Sequence, residues 1–131
     1  MVIAFDKFRD EEYKEPKELL EKSGVQITTV SSKPGTAKGK HGLPAKVDLT
    51  LDKLNVSDYD AILYIGGPGC YSFYDDPTAH KIAQDTVKAG KILGAICAAP
   101  GILANAGVLK GKKATMFAND GTLAKGGAAH E

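Results

Sequence analysis

The sequence predicts an α/β domain built on a doubly wound, mainly parallel sheet with helices on both faces. Three observations predict it. Short apolar runs recur at MVIAF (1–5), DAILYI (60–65) and ILGAI (92–96), as expected of strands buried on both sides. Helical segments lie between such runs and stop at Gly24, Gly90 and Gly107. Polar or glycine-rich stretches follow three of the strands, at 6–12, 66–70 and 97–100. In doubly wound sheets ligands bind beyond the carboxyl ends of the strands, where the winding reverses.

The elements follow in order. Residues 1–5 form the first buried strand and 6–10 a polar connection. A helix spans about residues 11–23, with Tyr13, Pro16, Leu19 and Leu20 near one stripe. Pro16 fits only if the regular helix begins close to it. Residues 25–30 are β-branched at five of six positions and read as a second strand. Residues 31–46, rich in Gly, Pro and Lys, read as an exposed loop. Val47, Leu49 and Leu51 alternate with polar residues, which suggests a short half-exposed strand. Residues 60–65 form the next buried strand, cut off by Gly66-Gly67-Pro68-Gly69. A helix follows at about 77–89, then a buried strand at 92–96. A further helix opens near Pro100, a residue favoured at a first helical position. Residues 113–117 (KATMF) read as another strand.

The chain has 131 residues, enough for one domain with a single core. Its net charge of +1 gives no field that would draw it to nucleic acid or a membrane surface. No apolar run approaches the ~20 residues needed to span a bilayer. Two cysteines, Cys70 and Cys97, are too few for a disulfide scaffold, which favours a reducing, cytoplasmic setting. The cysteines and the three histidines show no metal-site spacing, and no cofactor is expected.

Cys97 is the sharpest chemical feature. It stands between a buried strand and a helix start, where a turn pushes the side chain out over the sheet. Unpaired N–H groups there favour the thiolate, the reactive form. A buried structural cysteine is the plainer alternative. Gly66-Gly67-Pro68-Gly69 allows close backbone approach and can supply N–H groups to an oxyanion, or can be only a tight turn. It matches neither a Walker loop nor a dinucleotide fingerprint. Within Asp10-Glu11-Glu12, a carboxylate can serve as general base or simply favour the helix start. His41, His80 and His130 are placed as surface residues, and Cys70 as a spectator thiol.

At AICAAPGILANAGVLKGKKAT (95–115) the chain closely resembles the ThiJ/PfpI superfamily. FRDEEYKEP (8–16), YDAILYIGGPG (59–69) and the helix before Lys91 agree in order. The resemblance implies a flavodoxin-like sheet in which Cys97 is the elbow nucleophile. It implies that Glu12, four residues before Pro16, contacts the Cys97 thiol. It further implies that the backbones of Gly66, Gly67 and Ala98 face the sulfur as the oxyanion-binding group. A homodimer is implied as well.

Two departures qualify the comparison. PfpI-type proteases carry histidine directly after the cysteine, where this chain has Ala98. The deglycase branch often has a histidine at the end of the following strand, and that place looks like Phe117. A cysteine–glutamate pair remains. In the superfamily it is linked to glyoxalase or deglycase chemistry on small 2-oxoaldehydes, and to oxidative sensing or chaperone action through the same thiol. A PfpI-type peptidase ranks third. The expected partners are a small aldehyde substrate or an oxidant. Similar proteins continue past KATMF with more strands and a closing helix. Residues 1–131 are therefore expected to be one ThiJ/PfpI-type domain lacking its C-terminal strands and helix, to be completed by the rest of its own chain or a partner. Residues 122–131, mostly Gly, Ala and Lys, are expected to bury little. Cys97 is expected to have a depressed pKa.

Overall fold

The computed structural model describes residues 1–117 and 121–130. In chain order the elements are β1 (Asp6–Phe8), α1 (Asp10–Lys22), β2 (Val30–Ser31), β3 (Gly35–Gly39), β4 (Pro44–Val47) and β5 (Leu49–Thr50). Then come β6 (Ala61–Tyr64), α2 (Pro77–Lys88), β7 (Ile92–Ala95), α3 (Pro100–Asn105), β8 (Lys113–Ala114), α4 (Thr122–Lys125) and β9 (Ala129–His130).

The N-terminal apolar run lies at the centre of the main sheet. Val2 bridges in parallel to both Val30 and Tyr64. Its N–H reaches the Leu63 carbonyl at 2.7 Å, and its own carbonyl accepts from Ile65 at 2.9 Å. On the other side Ile3 donates to Val30 at 2.9 Å. Met1 to Ala4 are buried, as strands covered on both faces demand. With β2 paired to β5 and β6 to β7, all in parallel, the sheet runs β5, β2, the Val2 segment, β6, β7. The chain winds one way from Val2 to β5, then returns to β6 and winds the other way. The reversal falls between the Val2 segment and β6.

Right-handed crossovers in opposite directions put α1 and α2 on opposite faces. Alternation along β6 agrees. Tyr64 is fully buried and its hydroxyl donates to the Ala79 carbonyl of α2 at 2.8 Å. Its neighbour Leu63 lines a cavity of about 400 Å³ with Leu20 of α1. Each fully buried side chain of the size of Ile3, Phe8 or Ile102 contributes about 1.5–3 kcal/mol by leaving water. The helix starts are local. Asp76 caps α2 by accepting from Thr78 at 2.8 Å, and Pro77 takes the first helical position. Among the described residues no helix is long and apolar enough to cross a membrane.

Several expectations need correction. Residues 31–46 are not a loop: β3 and β4 form an antiparallel hairpin whose Ala37, Gly39, Ala45 and Val47 are buried. Residues 6–10 are not only a connection, because β1 pairs in parallel with β3. Of residues 25–30 only Val30 joins the ladder, and Val25 is exposed. The run at 92–96 is not buried throughout, since Ile92 and Ile96 are exposed. KATMF contributes only Lys113–Ala114, which pair with β9 rather than with the main sheet. The described part of 122–131 buries more than expected: Leu123 is fully buried against Ala104 and Ala128. Finally, α1 begins at Asp10, so Pro16 sits inside the helix. Lacking an N–H, it cannot complete the helix bond to the carbonyl of Glu12.

Candidate active site

Three chain segments converge at the carboxyl edge where the winding reverses. The N-terminal run leads through β1 to Glu12 on α1. The end of β6 leads into Gly66-Gly67. The end of β7 leads to Cys97.

Cys97 has φ +62°, in the left-handed region that residues other than glycine seldom enter. Such a conformation costs on the order of 1–3 kcal/mol and persists only where surrounding contacts impose it. Here they do. Ile96 still donates to Tyr64 of the sheet at 3.2 Å. Three residues on, Ala99 donates back to Ile96 at 3.0 Å, and Pro100 opens α3. The chain turns from strand to helix within those residues, and Cys97 absorbs the turn. Its carbonyl is held separately, by the Phe117 N–H at 2.8 Å.

Glu12 reaches the same point from α1. Its Oε1 accepts from the Gly66 N–H at 3.1 Å, and its carboxylate is hydrogen-bonded to the Cys97 thiol. The backbone N–H groups of Gly67 and Ala98 also address the sulfur. The structure thus brings Cys97, Glu12, Gly66, Gly67 and Ala98 together. Both glycines are sterically required. A Cβ on Gly66 would lie 2.7 Å from Glu12 Oε1 and from Cys97 Cβ. Gly67 has φ +103°, and a Cβ there would collide with the backbone of Arg9.

The expected depression of the Cys97 pKa is not what this geometry produces. Burial pushes the thiol up first, the Glu12 charge and its hydrogen bond add to that, and the Ala98 and Gly67 N–H groups only partly offset them. The arrangement therefore favours the neutral thiol over the thiolate at Cys97. Cys70 is different. It is fully buried, and burial, followed by the nearby Cys97 and Glu12 charges, pushes its thiol to about 12.

The histidines lie elsewhere. His41 sits on the turn of the β3–β4 hairpin, where its backbone N–H reaches Asp10 at 2.9 Å. The His80 ring meets the Tyr74 carbonyl at 2.6 Å. The side chain of His130 lies outside the described residues. Among those residues no group of three or more His, Cys, Asp or Glu side chains is placed to hold a metal.

Two neighbours escaped the sequence reading. The Tyr74 hydroxyl donates to the Ala98 carbonyl at 2.6 Å and so steadies the residue after Cys97. Arg9 donates its backbone N–H to Gly66 at 2.9 Å, and its guanidinium lies within electrostatic reach of Glu12 and Cys97. No local pattern marks either residue, because both contacts cross the fold.

Comparison with known proteins agrees with this architecture. Residues 1–131 match the profile of the DJ-1/PfpI family. An uncharacterised protein of Methanocaldococcus jannaschii is 37% identical over 118 residues, 89% of this chain and 58% of that protein. A deglycase of Pyrococcus horikoshii is 36% identical over 117 residues, 89% of this chain and 70% of that protein. The crystal structure of a ThiJ/PfpI domain protein from Brachyspira murdochii superposes with a TM-score of 0.96 at 30% identity. That superposition covers 99% of this chain and 76% of the other. The chain thus spans between about three fifths and three quarters of these relatives, and with the flavodoxin-like sheet and the elbow cysteine in place, it belongs to the DJ-1/PfpI family.

Proposed function

We propose that the chain carries a cysteine-dependent activity on small 2-oxoaldehydes or their adducts, of the glyoxalase or deglycase type. One observation carries the reading: a strained, half-exposed cysteine whose thiol meets the Glu12 carboxylate and two backbone N–H groups.

The chemistry follows from those three partners. The Cys97 sulfur adds to the aldehyde carbon, forming an S–C bond, and the carbonyl π pair moves onto oxygen. Glu12 accepts the thiol proton. The Gly67 and Ala98 N–H groups hold the developing oxyanion. A proton moves from the former aldehyde carbon to its neighbour, and the proton held by Glu12 passes to the former ketone oxygen, giving a thioester of the 2-hydroxy acid and restoring the carboxylate. Water cleaves that thioester, releasing the acid and restoring the thiol. The sum is 2-oxoaldehyde plus water to 2-hydroxy acid. Peptide hydrolysis is the weaker reading, because a cysteine protease needs a basic imidazole beside its nucleophile, and Ala98 and Phe117 supply none.

The test is turnover of methylglyoxal, and of a peptide, by the protein and by Cys97→Ser. Conversion of methylglyoxal that vanishes in the variant supports the reading. Undiminished conversion by Cys97→Ser overturns it. Loss of Cys97 thiol to a sulfinate under mild peroxide, without any turnover, would favour the oxidative-sensor role instead.

A further inference from the structure

We propose that Arg9 forms an anion subsite beside Cys97, so that the carbonyl compound captured by Cys97 carries a carboxylate. The proposal deepens the reading of Cys97 as a nucleophile and rests on it.

The backbone fixes the position. Arg9 donates its N–H to the Gly66 carbonyl at 2.9 Å, and its nitrogen lies so close behind Gly67 that a Cβ there would strike it. Gly66 in turn holds Glu12, and Gly67 addresses the thiol. Arg9 is therefore built onto the same turn that faces the reacting atoms.

The side chain is available. Its Nε contacts Glu11 Oε1 at 2.5 Å, with the Arg9 side chain 40% exposed and that of Glu11 44% exposed. An ion pair this open to water contributes little, so an incoming carboxylate can take Glu11's place at small cost. A guanidinium offers five donors in a planar fork that fits a carboxylate with two parallel bonds. The hydrogen bond and charge of Glu11 raise the Arg9 pKa most, and the charges of Glu12 and Cys97 act in the same direction.

A carboxylate-bearing substrate needs such a group. A substrate carboxylate entering a site that already holds Glu12 meets a like charge, and a cation beside Glu12 offsets it. A neutral aldehyde such as methylglyoxal gives Arg9 nothing to bind. A 2-oxo compound bearing a carboxylate near its carbonyl gives it a partner.

The experiment compares alkylation of Cys97 by iodoacetate and by iodoacetamide at low ionic strength, read by mass spectrometry of the Cys97 peptide. In both reactions the thiolate sulfur bonds to carbon and iodide leaves, and the reagents differ in charge. The ratio of the two rates therefore cancels any change in thiolate fraction. Arg9→Gln is expected to lower the iodoacetate-to-iodoacetamide ratio at least about threefold, the scale of one unit charge acting at short range in a partly solvated site. Arg9→Lys keeps most of the ratio, and Glu11→Gln, which releases Arg9, raises it. An unchanged ratio in Arg9→Gln, or a ratio that Glu11→Gln fails to raise, overturns the subsite. If Arg9→Gln does not fold, Glu11→Gln decides alone. A Cys97 inert to iodoacetamide sinks the nucleophile reading and the subsite with it. A reactive Cys97 with an unchanged ratio sinks the subsite only.

Discussion

Gly66 and Glu12, 54 residues apart, are joined by a hydrogen bond of 3.1 Å from the glycine N–H to the carboxylate, with no room for a side chain between them. That bond orients the carboxylate toward the sulfur. Gly66→Ala should therefore push Glu12, Cys97 or the Ile96 carbonyl out of place, because the added methyl would lie 2.7 Å from each. Cys97-dependent turnover is expected to fall at least about tenfold, the loss of one positioned acid–base group. Far-ultraviolet circular dichroism together with methylglyoxal turnover checks it. A fully active Gly66→Ala would mean the close packing has no role in the chemistry.

Glu12→Gln separates two effects that a simple nucleophile model would merge. The amide keeps an oxygen for the Gly66 N–H but carries no charge. Burial still holds the Cys97 pKa up, whereas the contribution of the carboxylate is gone. The thiol midpoint, followed by thiolate absorbance against pH, is expected to move down. Turnover is nevertheless expected to fall about tenfold or more, since no base remains to accept the proton. A midpoint that rises or stays put would refute the electrostatic account.

Cys70 predicts a limb of the stability profile. In the unfolded chain a thiol releases its proton near ~8.5, whereas in the fold Cys70 keeps it up to about 12. Above ~8.5 the folded state binds more protons than the unfolded one. The contribution is thus fully present below that pH and is lost as pH rises toward 12. Urea midpoints measured across this range should fall with pH, and Cys70→Ala should flatten the fall. Its packing loss, on the order of 1 kcal/mol, appears at neutral pH as well. A slope that survives Cys70→Ala unchanged would assign the effect to other groups.

Asp10 ties the hairpin turn to α1 by accepting from the His41 and Leu43 N–H groups, each at 2.9 Å. Desolvation raises its pKa, but these two N–H bonds, Asp10's own N–H and the nearby His41 charge together outweigh it and the net direction is down. The tie is therefore present above the ordinary carboxylate pKa of ~3.9 and is lost as pH falls through the lowered one. Asp10→Ala is expected to speed amide exchange at His41 and Leu43 while exchange at Val2 and Tyr64 in the main sheet stays slow. Equal loosening everywhere would show that the hairpin and the sheet open together.

What the sequence determined by itself was local. The apolar runs at 1–5 and 60–65, the helix stops at Gly24 and Gly90, and the Pro100 helix start are set by side-chain periodicity and by glycine and proline chemistry within a few residues. The same is true of the turn at Cys97, where a buried strand meets a helix start. The pairing of Cys97 with Glu12, by contrast, was only one of two readings of an acidic helix start until the family resemblance singled it out. Other features depended on contacts that no local window contains. Ala37 and Ala45 are too small to announce a strand, and only their pairing in the hairpin buries them. Lys113 and Ala114 looked like part of the main sheet, but their partners are Ala129 and His130. The direction of the Cys97 pKa was likewise decided only in the fold. A helix start favours the thiolate, but burial and a carboxylate brought in from 85 residues away oppose it more strongly. Charge effects add over distance in space, and the tertiary structure alone decides which charges and which N–H groups lie within reach of the sulfur.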